Sequence, residues 1–584
     1  MSGREESKNE NILELSKSEA YQESAESAAP QKNIIANTGL FLCIGSLTLI
    51  LFITALDILI VGTIIDVVAE QFGEYSKTGW LVTGYSLPNA IFSLLWGRLA
   101  STIGFQTSVV FAIAIFEAGS LVAALAHSMN MLIAGRVIAG VGGSGLQTLC
   151  FVIGSSMVGE RSRPLIISVL SCAFAIAAVV GPIIGGAFTT HVTWRWCFYI
   201  NLPIGGLAII LFLLTYNPDK KRFSTRIRGF LESLLKIDPR KLVMKNLWSE
   251  CFKSLIFKFD FIGFSINSAG LVLFLLGLTF GGNVYHWGSG QVITYLVLGV
   301  VLFLCSLVYD FFIFDILNPQ ATNMAFRPLL LKKLLIHPAI LIPNLVTFLL
   351  CVGYNGQMIY SVQFFQLVLG SSAWKAGLHL IPIVITNVIA AITSGIVTKK
   401  YGVVKPMLVL GGVLGVIGAG LITLMDYKSN SSMQIGVLIL PGFSLGFVLQ
   451  ASLMTTQLQI QKDRPEAMVD FIEITAFNTF MKSLGTTFGG ILSTTVFTAS
   501  LSEKISKLHL EPYVNQSVDD MIHYRINNFD GKHSVIAATL SDSIKNVFWM
   551  DLGFYGLGFI LCIFASNKKL SVSKTSKAKD DLCV

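Results

Sequence analysis

Charge is what this sequence has least of. Only 13% of its 584 residues are Asp, Glu, Lys or Arg, against 53% hydrophobic, whereas an ordinary globular domain carries about 25% charged residues. A mean hydropathy of +0.68 cannot be hidden in three or four soluble cores of about 150 residues each, which argues against a soluble enzyme. Cysteine is also sparse. The nine cysteines are scattered with no Cys-x-x-Cys spacing, supporting neither a zinc site nor a disulfide framework. The Gly-rich loop ending in Gly-Lys-Ser/Thr is missing, as are His-Glu-x-x-His and Gly-x-Ser-x-Gly, so the chain has no visible machinery for hydrolysis. The expectation is a protein that is not an enzyme and needs neither cofactor nor metal. Residues 1 to 35 lean acidic (Glu5, Glu6, Glu10, Glu14, Glu19, Glu23, Glu26) and lack the apolar core of a cleaved signal peptide. They read as a disordered tail, set at 1 to 38.

Long apolar runs are what the chain has in place of charge. They fall at about 39–66, 79–97, 106–126, 130–153, 165–189 and 197–216, then 259–281 and 291–313, then 338–360, 374–397, 405–425, 433–455, 468–497 and 548–566. Each suits a crossing of about 20 residues, and helices satisfy their own backbone hydrogen bonds where no water can. The pattern of six, two and six predicts an all-α polytopic membrane protein of fourteen spans. The net charge of +8 lies between these runs, where it sets orientation rather than forming a nucleic-acid surface. The loop 217 to 258 holds eleven Lys and Arg against four acidic residues and is placed in the cytoplasm. Arg161, Arg163, Arg327, Lys332, Lys399, Lys400, Lys462 and the Lys568/Lys569 tail fall on the same side, with both termini. The two Asn-x-Ser/Thr sequons, at Asn430 and Asn515, land in loops on the opposite face and are glycosylation candidates. The remaining boundaries are a linker over 314–337 and an outer loop over 498–547.

An internal repeat ties the second span to the tenth. Trp80 precedes Pro88 by eight residues, as Trp374 precedes Pro382, and Gly97 and Gly104 are spaced as are Gly395 and Gly402. Such symmetry belongs to secondary transporters, whose substrate site lies between repeats. Ionisable residues inside spans are costly and mark function by default. Asp57, Glu117, Arg136, Glu473 and Lys482 stand out. Counted from the outer helix ends, Asp57, Glu117 and Arg136 fall within about 5 Å of one another in depth, so Asp57 and Arg136 can pair, either as a proton-coupling device or as a structural salt bridge. Glu473 and Lys482, nine residues apart, lie on opposite faces of one helix. Gln357, Tyr360, Gln363, Gln366 and Gln450 read as substrate contacts or as interface anchors.

Several motifs resemble one family. Gly181-Pro-Ile-Ile-Gly-Gly186 followed by Trp194-Arg-Trp-Cys-Phe-Tyr-Ile-Asn201-Leu-Pro203, together with Arg136-Val-Ile-Ala-Gly140-Val-Gly142-Gly143, Leu56-Asp57-Ile-Leu-Ile-Val and Asp260-Phe-Ile-Gly263, is similar to the fourteen-span drug:proton antiporters of the major facilitator superfamily. Within it the chain resembles the fungal vacuolar basic amino acid transporter and azole-resistance group. The resemblance implies the major facilitator fold of two six-helix halves with two helices inserted between them. It also implies proton coupling at Asp57 and Arg136, and Lys, Arg or His as substrate, with drugs or dyes as the alternative cargo. Asp57, Glu473, Gln357 and Tyr360 are then the substrate-binding candidates, and Glu117 and Lys482 structural charges. Gly181, Pro182, Gly185 and Gly186 serve packing and bending, as Pro203 does bending. The expected partners are a small-molecule substrate, a proton and the lipid of a plasma or vacuolar membrane, with the chain acting as a monomer. One departure is plain: the second-to-third loop reads Gly97-Arg-Leu-Ala-Ser101-Thr-Ile-Gly104-Phe-Gln, without the family's Asp and basic pair, so other contacts are expected to close the cytoplasmic side. Gly62 likewise stands where the first-span motif has Asn. A third reading, of another class, is a non-transporting nutrient sensor that signals through the basic loop and the acidic tail.

Overall fold

The computed structural model describes residues 31–74, 77, 79–216, 260–282, 285–317, 336–371, 373–461, 467–508, 521–522, 525 and 535–570. The tail to residue 30, the basic loop 217–258, most of the 314–337 linker, Asn515 and the end of the chain after 570 lie outside the described residues. The rest is helical. Fourteen long helices follow one another: α1 (Gln31–Ile60), α2 (Gly79–Ile103), α3 (Phe105–Ala124), α4 (Met129–Ser156), α5 (Arg163–His191), α6 (Asn201–Thr215), α7 (Phe261–Phe280), α8 (Gly290–Val308), α9 (Pro338–Gln363), α10 (Ile381–Tyr401), α11 (Lys405–Ile422), α12 (Ile439–Gln457), α13 (Ala467–Leu508) and α14 (Val535–Ile563). Starts are set locally. Ser128, Asp260 and Ser289 cap α4, α7 and α8, their side chains accepting from the backbone N–H three residues on, which satisfies a donor that the helix itself leaves unpaired.

Twelve of these segments are long and apolar enough to cross a membrane by length and composition; α2 and α13 are not among them. The shortfall has a physical reason. Asn89, Ser93 and Arg98 on α2, and Asn478, Thr479 and Ser483 on α13, are buried polar residues, and the two helices pack on each other. Their polarity is directed into protein rather than lipid. Some boundaries differ from the sequence expectation. α1 already begins at Gln31, α13 continues to Leu508, α14 begins at Val535, and the ninth segment runs past Gln363 as a π-turn over Phe364–Val368.

The packing repeats with a period of eight helices. α2 and α3 pack on α4, and α1 packs on α5 and α6; eight helices on, α10 and α11 pack on α12, and α9 packs on α13 and α14. The halves meet at two crossings, α2 on α13 and α5 on α10, which exchange under the same operation. α7 and α8 pair with each other and touch α13 and α2 from outside.

The sequence repeat falls on this symmetry. A Cβ on Gly97 would lie 2.7 Å from that of Ala476 on α13, and one on Gly395 would lie 3.0 Å from the Pro164 carbonyl oxygen on α5, so each repeat glycine marks one crossing between the halves. Gly104 and Gly402 take positive φ of 87° and 71°, which glycine adopts at the ends of α2 and α10 without a Cβ penalty. From Pro88 to Gly97 is nine residues and from Pro382 to Gly395 thirteen, about one helical turn more, and this mismatch coincides with a break: α2 is continuous through Pro88, whereas its counterpart is split into Ala373–His379 and α10, with Pro382 in the first turn.

The glycines of the fifth-span motif do not act alike. Gly181 and Gly185 let α5 approach α1, a Cβ on Gly181 meeting Leu59 at 3.3 Å and one on Gly185 meeting Ile60 at 2.8 Å. Gly186 corrects the expectation, because a Cβ there meets nothing within 4 Å. Pro182 lies inside α5, against Gly377 of the split tenth segment. Overpacking costs about 1–3 kcal/mol, so Gly97→Val is expected to lower the thermal midpoint of the detergent-purified protein by several degrees and Gly186→Val to leave it in place. Equal midpoints for the two variants would contradict this account of the crossing.

Candidate functional site

α1 and α4 bring together the pair expected from depth alone. Arg136 Nη1 donates to Asp57 Oδ2 at 2.5 Å, and Asp57 is wholly buried and Arg136 nearly so. Arg136 Nε donates to the Leu81 carbonyl at 3.2 Å, and its guanidinium stacks over the Tyr85 ring at 4.5 Å. The second carboxylate oxygen is held from α6: Asn201 Nδ2 donates to Asp57 Oδ1 at 2.9 Å and to Ser120 Oγ at 3.1 Å. Four elements thus converge on one carboxylate, joined by Phe198, whose ring lies 5.8 Å from the Arg136 guanidinium. Asn201 and Phe198 belong to the Trp194–Pro203 motif, and that motif fixes Asp57 in place. Its other members anchor its position: Trp194 donates to Gln71 at 2.6 Å, and Arg195 to the Ala126 carbonyl at 2.9 Å.

Glu117 makes no hydrogen bond to this cluster. Neither of its carboxylate oxygens has a hydrogen-bond partner among the described residues, and the carboxyl group packs against Gly205 of α6. An ion-paired structural charge is therefore not what the geometry provides there.

Glu473 and Lys482 are separate, as their spacing requires. Glu473 pairs with Arg98 of α2 at 3.4 Å, both side chains being buried, so this ion pair joins the two halves. Arg98 is the residue after Gly97 in the loop motif that lacks the family's Asp, and its pairing supplies a charge contact between the halves that the motif does not. Around it, Arg161 donates to the Lys399 carbonyl at 3.0 Å and the Arg163 guanidinium stacks over Phe471 at 4.6 Å. Farther along the crossing, Ser483 donates to Asn89 Oδ1 at 3.0 Å.

Lys482 reaches from α13 to the N-terminal half, its ammonium 4.1 Å from the Phe174 ring and 5.7 Å from that of Phe151. No carboxylate pairs with it among the described residues. Rings hold a desolvated cation by their negative faces, but they leave its charge uncancelled.

The remaining candidates fall in the C-terminal half. Gln357 and Tyr360 of α9 are buried; Tyr360 packs on Phe497 at 5.1 Å, and both polar atoms of Gln357 lack partners among the described residues. Gln450 bonds to Ser394, tying α12 to α10. Asn430 directly precedes the short helix Ser431–Gly436 and is exposed. Sequence reasoning missed Arg98 and Asp551, a carboxylate inside α14. Asp551 lies within the apolar run assigned to the last span and is readable there as an isolated acid; Arg98 lies just past the end assigned to the second span.

The chain matches the Major Facilitator Superfamily over residues 47–317. It is 72% identical to Vacuolar basic amino acid transporter 5 of Saccharomyces cerevisiae, over 93% of this chain and 93% of that protein. The chain belongs to the Major Facilitator Superfamily. The chain is also similar to two further proteins of the same yeast: Vacuolar basic amino acid transporter 3, 70% identical over 78% of this chain and 99% of the relative, and Azole resistance protein 1, 47% identical over 90% of this chain and 88% of the relative. Among solved structures, that of the proton:xylose symporter XylE covers 91% of this chain and 97% of its own, with a TM-score of 0.54 at 14% identity. It shares the fold. Membership makes the chain a multi-pass transporter of a small molecule rather than an enzyme.

Arg136→Met would strand Asp57 as a buried charge, which costs about 3–5 kcal/mol. Adding Asp57→Asn is expected to restore most of that loss. Thermal unfolding of the purified single and double variants measures the coupling; additive losses would contradict a paired site.

Proposed function

We propose that this protein is a proton-coupled carrier of basic amino acids in the vacuolar membrane, working as a monomer with both termini in the cytoplasm. The observation that supports this most directly is the 72% and 70% identity to yeast proteins named as vacuolar basic amino acid transporters. The site chemistry agrees. Rocking of the halves about a midplane site would open and close the α2–α13 and α5–α10 crossings, and the Asp57–Arg136 pair is the proton carrier: a proton on Asp57 releases Arg136, and loss of that proton restores the ion pair. Asn201 keeps the carboxylate oriented through the cycle.

A basic amino acid carries an anionic carboxylate as well as cationic groups, so its site needs charge of both signs. Glu473 is the carboxylate for the substrate's ammonium or guanidinium, exchanging Arg98 for it as the halves part. Lys482, held between the halves against the rings of Phe174 and Phe151, is assigned to the substrate's α-carboxylate. Gln357 and Tyr360 are buried in the C-terminal half, where α9 packs on α13 and α14. Export of drugs or cationic dyes is the second reading, carried by the 47% identity to a protein named for azole resistance.

The test is uptake of radiolabelled lysine or arginine into proteoliposomes with an imposed pH gradient. Gradient-dependent accumulation is expected; its absence, with dye movement intact, would favour the second reading. Lys482→Met is expected to raise the KM for arginine at least about tenfold, the worth of one charge-assisted bond, and to leave that for agmatine, which lacks the carboxylate, within about twofold. Equal effects on both substrates would remove Lys482 from carboxylate binding.

A further inference from the structure

We propose that Asp551 is a second proton-binding site, built into the C-terminal half where α14 packs against α9 and α13. Its side chain is wholly buried, and neither carboxylate oxygen has a hydrogen-bond partner among the described residues. The enclosure is tight. A Cβ on Gly356 of α9 would lie 2.5 and 2.7 Å from the two carboxylate oxygens and would also meet the Ser493 hydroxyl of α13. The Ser493 hydroxyl and the side chain of Gln357, the residue after Gly356, are likewise buried without partners.

Among the described residues no cation offsets this acid. α9 brings Cys351, Tyr354 and Tyr360, and α14 itself Tyr555, all neutral at ordinary pH. α13 has no charged residue between Lys482 and Glu503, α11 carries only Lys405 at its first position, and the Phe364–Val368 turn carries none. Lys545, on α14, is engaged with Asp426 at 3.3 Å. An ionised carboxylate in such a place meets no counter-charge among the described residues and is costly; adding one proton gives a neutral acid with an O–H to donate, and the Ser493 hydroxyl is an acceptor beside it. The step is the bare equilibrium of carboxylate plus proton to carboxylic acid. A larger cation would have to push the α9 backbone aside at Gly356.

Symmetry places the site. α9 and α14 are the counterparts of α1 and α6, whose contact carries Asp57 and Asn201. Each half then holds one carboxylate between its first and last helices, but α12, the counterpart of the helix bearing Arg136, has no ionisable residue from Ile439 to Gln457. Asp57 has a resident cation, and Asp551 has none among the described residues.

This inference rests on the proton-coupled reading above, and its test does not depend on transport. Infrared difference spectra of the purified protein between about pH 4 and pH 10 report the carbonyl stretch of protonated carboxylic acids. Among the carboxylic-acid bands that the wild type loses as pH rises, one is expected to be missing from Asp551→Asn, and Gln357→Leu is expected to keep that band with a shifted midpoint. In proteoliposomes Asp551→Asn is expected to move one proton fewer per substrate. Identical spectra for wild type and Asp551→Asn, or a band unchanged across the whole range, overturn the proposal, and so does a band abolished by sodium at fixed pH. If the reading of Asp57 failed while the Asp551 band titrated, the coupling account would fall and this site would stand.

Discussion

An uncompensated charge inside the membrane is the constraint on which the rest of this molecule depends. Asp57 would be intolerable as an isolated anion in a low-dielectric interior, and four elements are arranged to make it tolerable: Arg136 from α4, Asn201 from α6, and the Tyr85 and Phe198 rings that flank the guanidinium. The close approach of α5 to α1 at Gly181 and Gly185 sets the neighbourhood in which this occurs. Such a pair is a poor source of stability, because desolvation takes back most of the Coulomb attraction. Its value lies in being breakable by a proton.

The same constraint shapes the boundary between the halves. α2 and α13 are too polar to rank with the other spans, and they face each other across the crossing where Arg98 meets Glu473. Polar residues that lipid would reject are used to join two bodies that must come apart. Serine and asparagine contacts such as Ser483 to Asn89 suit that task, since bonds of this kind in membranes are modest, about 1–2 kcal/mol or less, and can be exchanged as the halves rock.

Much of this was legible in the sequence, for identifiable reasons. The apolar runs gave the helices because spanning length is a simple physical requirement, and the Gly97/Gly395 and Gly104/Gly402 pairs marked the symmetry because close crossings and left-handed turns admit few other residues. The Asp57–Arg136 pair followed from depth counting along two straight helices. What failed did so where position around the helix mattered. Gly186 shares a motif with Gly181 and Gly185 but points to open space, and a Gly-x-x-x-Gly spacing does not say which face a third glycine occupies. Arg98 lay beyond the assigned span end, and its partner Glu473 is nearly four hundred residues away in the chain, a distance that no local pattern reads. Asp551 carried a visible signal, an acid inside an apolar run, yet only packing reveals that no described residue answers its charge.

The central claim, that protonation of Asp57 couples the gradient to substrate movement, separates two modes of transport. In proteoliposomes bearing Asp57→Asn, exchange of labelled for unlabelled arginine at equal pH should continue, because the neutral side chain still allows the halves to rock. Uphill accumulation driven by a pH gradient should be abolished. Gradient-driven accumulation at the wild-type level in that variant would contradict the account.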